Sequence, residues 1–392
     1  MQQVLRITAH SLASLPQRLG SSLVALVGVA GVVAVLVAVL SMARGFEATL
    51  AAGGYPDNFV VLRSGSSSEL DSSASGTQAQ VIAQAPGVAR TDGQALVSSE
   101  LYVMVDLAKK ATGTTANVPM RGVGQKGAAI RRDFTIVDGR MFEPGKREIV
   151  AGAGAAAEYV GLEVGNTIEF GRERWDVVGV FEAAGGAMES ELWADVPVVQ
   201  NAFRRGNNYS VVVGRLASED AFAAFKDTLT SDPRLSVNVE RESDYYAEQS
   251  RILSQFISVI GYGVALLMAL GATFGALNTM YTAVSARARE IATLRAIGFS
   301  RVPIVVSVMV EAMVLALAGG ILGGLIAYGL FNGFQVSTLN FSTFTQVVFA
   351  FAVTPDLLVQ GIVLAMVIGL AGGLAPAIHA ARAPITTALR AN

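Results

Sequence analysis

The sequence predicts a membrane α-helical protein of four transmembrane helices joined to an α+β extracytoplasmic domain of two lobes, one inserted in the other. Three observations carry this. The 392 residues are 52% hydrophobic and only 15% charged, against about 25% charged in an average soluble chain. The apolar excess gathers into four blocks, each as long as the ~20 residues a bilayer crossing needs. Between the first block and the other three lie about 200 residues of ordinary soluble composition.

The first block, Ser21 to Met42, carries no charge and would make a helix about 33 Å long. Ser41-Met42-Ala43 resembles a small-residue cleavage site, but signal-peptide cores run about 7–15 residues, so the block reads as a span. The others are Phe256 to Val284, Val302 to Phe331 and Leu357 to Ala380. Arg6 and Arg18 precede the first span, Arg287, Arg289, Arg295 and Arg301 lie between the second and third, and Arg382 and Arg390 follow the fourth. The loop Asn332 to Thr354 has no lysine or arginine. Positive charge collects on cytoplasmic loops, so both termini and the arginine segment are expected in the cytoplasm. The divisions are then 1–20 cytoplasmic, 21–42 first span, 43–255 outside, 256–284 second span, 285–301 cytoplasmic, 302–331 third span, 332–356 a short outer loop, 357–380 fourth span and 381–392 a cytoplasmic tail. Small-residue pairs at helical spacing (Gly271/Gly275, Gly319/Gly323, Gly320/Gly324, Gly369/Gly373) allow close helix approach, within one subunit or between two.

Outside the membrane the first helix is expected to continue through Phe46 and Leu50 and stop at Gly53-Gly54. A strand at Asp57 to Gly65 leads to "SSSELDSSASG" (Ser66 to Gly76), a polar linker or mobile loop. A helix at Gln78 to Gln84 and a strand at Ser98 to Leu107 follow. A strand at Asn208 to Leu216, a helix at Ser218 to Leu229 opened by a serine cap and a strand at Leu235 to Arg241 form a second β-α-β unit. The middle, about 120–205, has short strands parted by glycine turns and reads as the inserted lobe. "GAGAAA" (Gly152 to Ala157) lacks a Walker lysine and reads as a strand-to-helix turn. From Ser243 a helical pattern runs unbroken to Val284. Tyr246, Leu253, Phe256 and Ile260 form a narrow apolar seam on it, against the chain's own first helix or a second subunit.

The net charge of −2 implies no nucleic-acid partner. There are no cysteines and two histidines, His10 and His379, which excludes a disulfide framework and a multi-histidine metal centre. No H-E-x-x-H or G-x-S-x-G occurs, so an enzyme is disfavoured. A sensor is disfavoured because two spans would suffice for it. Glu311 is the one ionisable group well inside a span, so it is a functional candidate by default. Its structural alternative is contact with interfacial water, or a pair with Arg301 or with a polar group of another helix.

The segment "AREIATLRAIGFSR" (Ala288 to Arg301) is amphipathic. Ile291, Leu294 and Ile297 cover an arc of about 120°, Arg295 flanks it, Arg287 and Glu290 fall within or beside it, and Gly298 is placed to end the helix. The segment resembles the MacB/FtsX-type permeases of ATP-binding cassette transporters, whose "R-E-I-x-x-L-R-A-x-G-x-S-R" links the second and third spans. Arg289, Glu290, Ile291, Leu294, Arg295, Ala296, Gly298, Ser300 and Arg301 match it. Pro376, Ala377, Ala380, Pro384, Ala388, Leu389 and Arg390 match the family's C-terminal pattern, and "VDGRMFEPGKREIVAG" and "DVVGVFE" look like its outer domain. The resemblance implies a non-catalytic permease subunit in a bacterial inner membrane, its large domain periplasmic, working as a dimer, a homodimer by expectation with a pair of related permeases as the alternative. The segment would be a coupling helix docked on a cytoplasmic ATPase. ATP and Mg would sit on that partner, a separate polypeptide here because no G-x-x-x-x-G-K-[ST] occurs, and this chain would need no cofactor or metal. Expected cargo is an amphipathic lipid, lipoprotein, peptide or small hydrophobic compound, passed to a periplasmic adaptor and outer-membrane channel. The alternative is an FtsX-like permease that regulates a cell-wall hydrolase.

Overall fold

The computed structural model describes residues 19–170, 173–340, 345–382 and 384. Arg6, Arg18 and the C-terminal Ala388, Leu389 and Arg390 lie outside them. In chain order the elements are α1 (Leu19–Ala52), β1 (Asn58–Arg63), α2 (Gly76–Gln84), β2 (Val97–Ala108), β3 (Thr115–Val123), β4 (Phe134–Gly139), β5 (Glu148–Gly152) and α3 (Ala153–Glu158). There follow β6 (Thr167–Phe170), β7 (Glu173–Ala183), β8 (Leu192–Asp195), β9 (Val211–Arg215), α4 (Ala221–Ser231), β10 (Val237–Arg241) and α5 (Glu242–Ala286). The chain closes with α6 (Ala288–Ala296), α7 (Arg301–Phe331), β11 (Gln335–Asn340), β12 (Thr345–Ala350) and α8 (Pro355–Arg382).

Among the described residues four helices, α1, α5, α7 and α8, are long and apolar enough to cross a membrane. The chain divides into two units. Of the described residues, one unit holds those up to Arg44, Gln255–Phe334 and those from Phe351 on, and the other holds those of Gly45–Ser254 with Gln335–Ala350.

The helical unit is assembled on glycine. On α7, Gly319 and Gly323 meet α1, so that a Cβ on Gly319 would lie 2.9 Å from Leu26 O and one on Gly323 would overlap Ala30 O. Gly320 and Gly324 lie a quarter-turn away and meet Ala365 and Leu358 of α8. Gly369 and Gly373 of α8 answer with contacts to Ala316 and Ala312 of α7. Small residues let backbones approach where lipid gives no hydrophobic drive to associate. Gly271 and Gly275 of α5 meet none of the described residues within 4 Å, so among these residues three of the four glycine pairs pack inside the subunit and this one does not. The seam expected on α5 also divides. Tyr246 and Leu253 are buried, whereas Phe256 and Ile260 are 58% and 47% exposed. The buried face of α5 continues instead through Gly261, against Val39 of α1, and through Ala265 and Ala269.

Among the described residues of the other unit, ten strands form one sheet, ordered β10-β1-β9-β2-β3-β8-β5-β7-β4 with β6 on β7. β10, β1, β9 and β2 are mutually antiparallel neighbours, and α2 and α4 provide the crossovers of two interlocked split β-α-β units. Their core includes Phe59, Ile82, Val212, Phe225 and Val239. The inserted lobe has its own core, with Val118, Met120, Ile149, Trp175 and Leu192. It begins inside β2 rather than at residue 120. Val97 to Glu100 pair with β9, and Leu101 to Ala108 pair with β3. One long strand therefore serves both lobes.

Three local expectations are revised. The Ser218 cap is not used, since α4 starts at Ala221 after Asp220. The short loop between the third and fourth spans is a β-hairpin, β11–β12. It joins the α+β unit through Ser190 Oγ, which accepts from Val348 N at 2.8 Å, and Lys109 Nζ, which donates to Ser337 Oγ at 2.7 Å. The serine-rich stretch after β1 is folded in, with Ser66, Ser68, Glu69 and Ser72 buried. "GAGAAA" is the passage from β5 into α3.

The glycine contacts separate two roles. Gly323→Val should lower the thermal midpoint of the detergent-solubilised protein by several degrees, since overpacking costs about 1–3 kcal/mol. Gly275→Val, in open space, should leave the monomer's midpoint unchanged. Equal effects at both positions would refute the assignment of Gly323 to the internal packing.

Candidate functional site

The helical run that begins at Glu242 breaks once, at Arg287, between α5 and α6. Neither glycine nor proline marks the point. Arg287 leaves helical geometry (φ −106°, ψ 9°), and its N–H takes a short-turn bond to Val284 O at 3.1 Å. Its side chain is buried, and Nη1 donates to Glu311 Oε2 at 3.1 Å. Glu311 is 4% exposed, one turn beyond the buried Ser307 on α7. The partner of Glu311 is therefore Arg287, not Arg301, which stands exposed at the start of α7. A carboxylate inside a span is tolerated when a cation neutralises it, and here the cation sits on the turn that carries α6.

Packing repeats the link. Ile291 of α6 is buried with Met280 and Val284 of α5, Ile304 and Val308 of α7, and Ala377 and Ala380 of α8. The C-terminus of α6 is fixed by Gly298 in the left-handed region (φ +105°), which lets Phe299 N reach Leu294 O at 3.1 Å in a Schellman closure. Gly298 thus ends the helix as its sequence position implied.

The arc of Ile291, Leu294 and Ile297 is not one surface. Ile291 faces the chain's own helices, Leu294 is half-buried, and Ile297 is 72% exposed. Arg287 is buried as well. Arg289, Glu290, Thr293, Ala296 and Ile297 form the outward face, with Arg295 half-buried. A cleft of about 450 Å3, its open mouth included, runs beside the pair and is lined by Arg287, Glu290, Leu294, Ser307 and Glu311 among others.

A second constellation, in the α+β unit, was not legible in the sequence. Arg121 of β3 is 2% exposed. Its Nε and Nη2 each donate to Glu191 at 2.7 Å, and its Nη1 donates to Glu69 at 2.6 Å and to Glu100 at 3.0 Å. Arg131 clamps Glu100 with two bonds of 2.7 and 2.8 Å and lies 4.9 Å from the Trp193 ring centre. Burial works against the charge of Glu100, but the Arg131 and Arg121 guanidiniums outweigh it and hold the carboxyl below its usual range. The five residues are spread from 69 to 191, and only Glu100 and Arg121 lie within strands, so no local pattern joins them.

Two family profiles match the chain. MacB-like periplasmic core domain matches residues 22–232, and FtsX-like permease C-terminal matches residues 262–385. This chain belongs to the MacB/FtsX permease family. It is a membrane protein with an α+β domain of the MacB type. Among curated relatives of this permease, "Macrolide export ATP-binding/permease protein MacB 1/2" of Paracoccus denitrificans (strain Pd 1222) is 25% identical over 327 residues, covering 79% of the chain and 47% of the relative. "Uncharacterized ABC transporter permease YknZ" of Bacillus subtilis (strain 168) is 25% identical over 231 residues, covering 55% and 54%. The permease spans about half the length of these two relatives. A solved periplasmic region of MacB from Actinobacillus actinomycetemcomitans aligns with a TM-score of 0.38 at 12% identity, covering 49% of the permease and 92% of that chain.

The buried pair gives a double-mutant test. Arg287→Met and Glu311→Met each strand one partner and should each cost about 3–5 kcal/mol, read as a lowered unfolding midpoint in detergent. The double variant Arg287→Met/Glu311→Met should cost clearly less than the sum of its parts. Additive losses would show that the two side chains do not act as a pair.

Proposed function

We propose that this permease subunit receives ATP-driven motion from a separate cytoplasmic ATPase and transmits it to a periplasmic domain, exporting or extracting an amphipathic substrate. The observation that carries the reading is the two-sidedness of α6. Its inner face is tied to α7 by the Arg287–Glu311 pair and by Ile291. Its outer face offers Arg289, Glu290 and Ile297 to a partner. An element fixed to the spans on one side and exposed on the other can pass a displacement inward without deforming. α5 suits onward transmission, since its 45 residues make a rod about 67 Å long.

In this reading both termini and α6 lie in the cytoplasm and the α+β unit lies in the periplasm. ATP and Mg belong to the ATPase. A second copy of the chain completes the transporter, with the exposed apolar side chains Ile252, Phe256, Val259, Leu267 and Phe274 of α5 meeting it or lipid. A periplasmic adaptor and an outer-membrane channel would receive the cargo. The relatives named as macrolide exporters favour export of small hydrophobic compounds.

Two measurements test this. Ser67→Cys in the α+β unit should react with an impermeant thiol reagent on intact cells, and Ser300→Cys beside α6 should not; the reverse pattern would overturn the orientation. Ile297→Asp should leave stability within about 0.5 kcal/mol, as exposed substitutions usually do, while weakening ATPase co-purification by about 30-fold, the loss expected of an interface hot spot. Undiminished co-purification and transport would remove α6 as the docking element.

A further inference from the structure

Glu69 sits in residues 64–73, the serine-rich segment between β1 and α2. The segment is well built within itself. Asp71 accepts from Ser68 N at 2.9 Å and from Ser68 Oγ at 2.8 Å, and Ser72 Oγ accepts from Arg63 N at 3.0 Å. The remaining side-chain hydrogen bonds of residues 66–72 run among themselves or back to Arg63, with one exception. Glu69 crosses to Arg121. It closes one side of a cleft of about 370 Å3, its open mouth included, lined also by Tyr102, Arg121, Glu191, Tyr246, Gln249 and Thr345.

The charges in this cluster do not balance. Glu69, Glu100 and Glu191 share Arg121, while Arg131 serves Glu100. Three carboxylates thus face two guanidiniums. Glu242, buried at the start of α5 and held by Asn58 Nδ2 at 2.8 Å, adds a fourth. Tyr102 of β2 and Tyr245 and Tyr246 of α5 complete the titratable surroundings and are neutral phenols near physiological pH. An uncompensated buried charge costs several kcal/mol, and a carboxyl so placed keeps its proton instead.

The donors identify the holder. Glu191 receives two bonds from Arg121 and one from Trp193 Nε1. Glu100 receives two from Arg131 and one from Arg121. Glu69 receives one, from the same Nη1 that also serves Glu100. It is the least supported carboxylate of the three and the one on a loop rather than in or beside a strand. We propose that residues 64–73 form a strap held shut by a proton on Glu69, and that loss of this proton toward alkaline pH loosens the strap and uncovers the Arg121 cleft.

Burial pushes the Glu69 carboxyl above its ordinary 4.5, and Arg121 offsets this only in part. With the strap open, Glu69 stands in water with its ordinary acidity. The closed form therefore binds the proton more tightly. Closure is strongest as pH falls toward 4.5 and weakens as pH rises through the raised value.

Hydrogen exchange measured by mass spectrometry on the full-length protein in detergent, across about pH 5–10 and corrected for intrinsic rates, reads this directly. Protection of residues 64–73 should fall by about tenfold per pH unit within the window where the closed strap is protonated and the open one is not. Glu69→Gln, which copies the protonated acid, should stay protected throughout. Glu69→Ala should be exposed throughout, with peptides of β1 and β9 protected as in the parent. Constant protection in the parent protein, a Glu69→Gln variant that keeps the parent's pH dependence, or a Glu69→Ala variant as protected as the parent would each overturn the proposal.

Discussion

The helical unit depends on how closely backbones approach α7. Gly319 and Gly323 admit α1 on one side, and Gly320 and Gly324 admit α8 on the other. In lipid, apolar side chains gain little by leaving the solvent for each other, so helix association rests on close packing and polar contacts. Two adjacent glycine pairs offset along one helix let α7 touch two neighbours at backbone distance. A side chain at Gly319 or Gly323 would have to displace the backbone of α1, whereas one at Gly320 or Gly324 would press first on the Ala365 or Leu358 side chain of α8.

That tight frame makes the Arg287–Glu311 pair consequential. A lone carboxylate in α7 would carry the cost of a charge in an apolar setting, and the pair removes it by drawing in an arginine from the turn before α6. The same contact ends α5 and orients α6. Electrostatics, helix geometry and placement of the outward residues Arg289, Glu290 and Ile297 therefore share one cause.

The α+β unit solves a different problem. One continuous sheet carries two separate cores, and β2 is shared between them. Where β2 and β3 meet, the interior holds Arg121, Arg131 and their carboxylates. Such networks are costly to desolvate and add little net stability over apolar packing. Their value is geometric, since each bidentate arginine accepts only one arrangement of its partners. The cluster ties β2, β3, the approach to β8 and the serine-rich segment into one register.

The four long apolar helices, the continuous α5, the β-α-β units and the glycine that closes α6 were all legible in the sequence. Each of these follows from local information: the length of an apolar run, the period of side chains, or the left-handed backbone that Gly298 allows. The family signature in residues 288–301 was equally local. The tertiary structure alone decided which cation serves Glu311, because Arg287 and Arg301 both lie within reach in sequence and only the turn at Arg287 points one of them inward. It also split the arc of Ile291, Leu294 and Ile297, since a helical wheel gives direction but not what stands there. Composition hid the role of "SSSELDSS". Its serines bond within their own segment or to Arg63, and its Glu69 has a partner 52 positions away on a strand that the pairing of β2 and β3 brings into place.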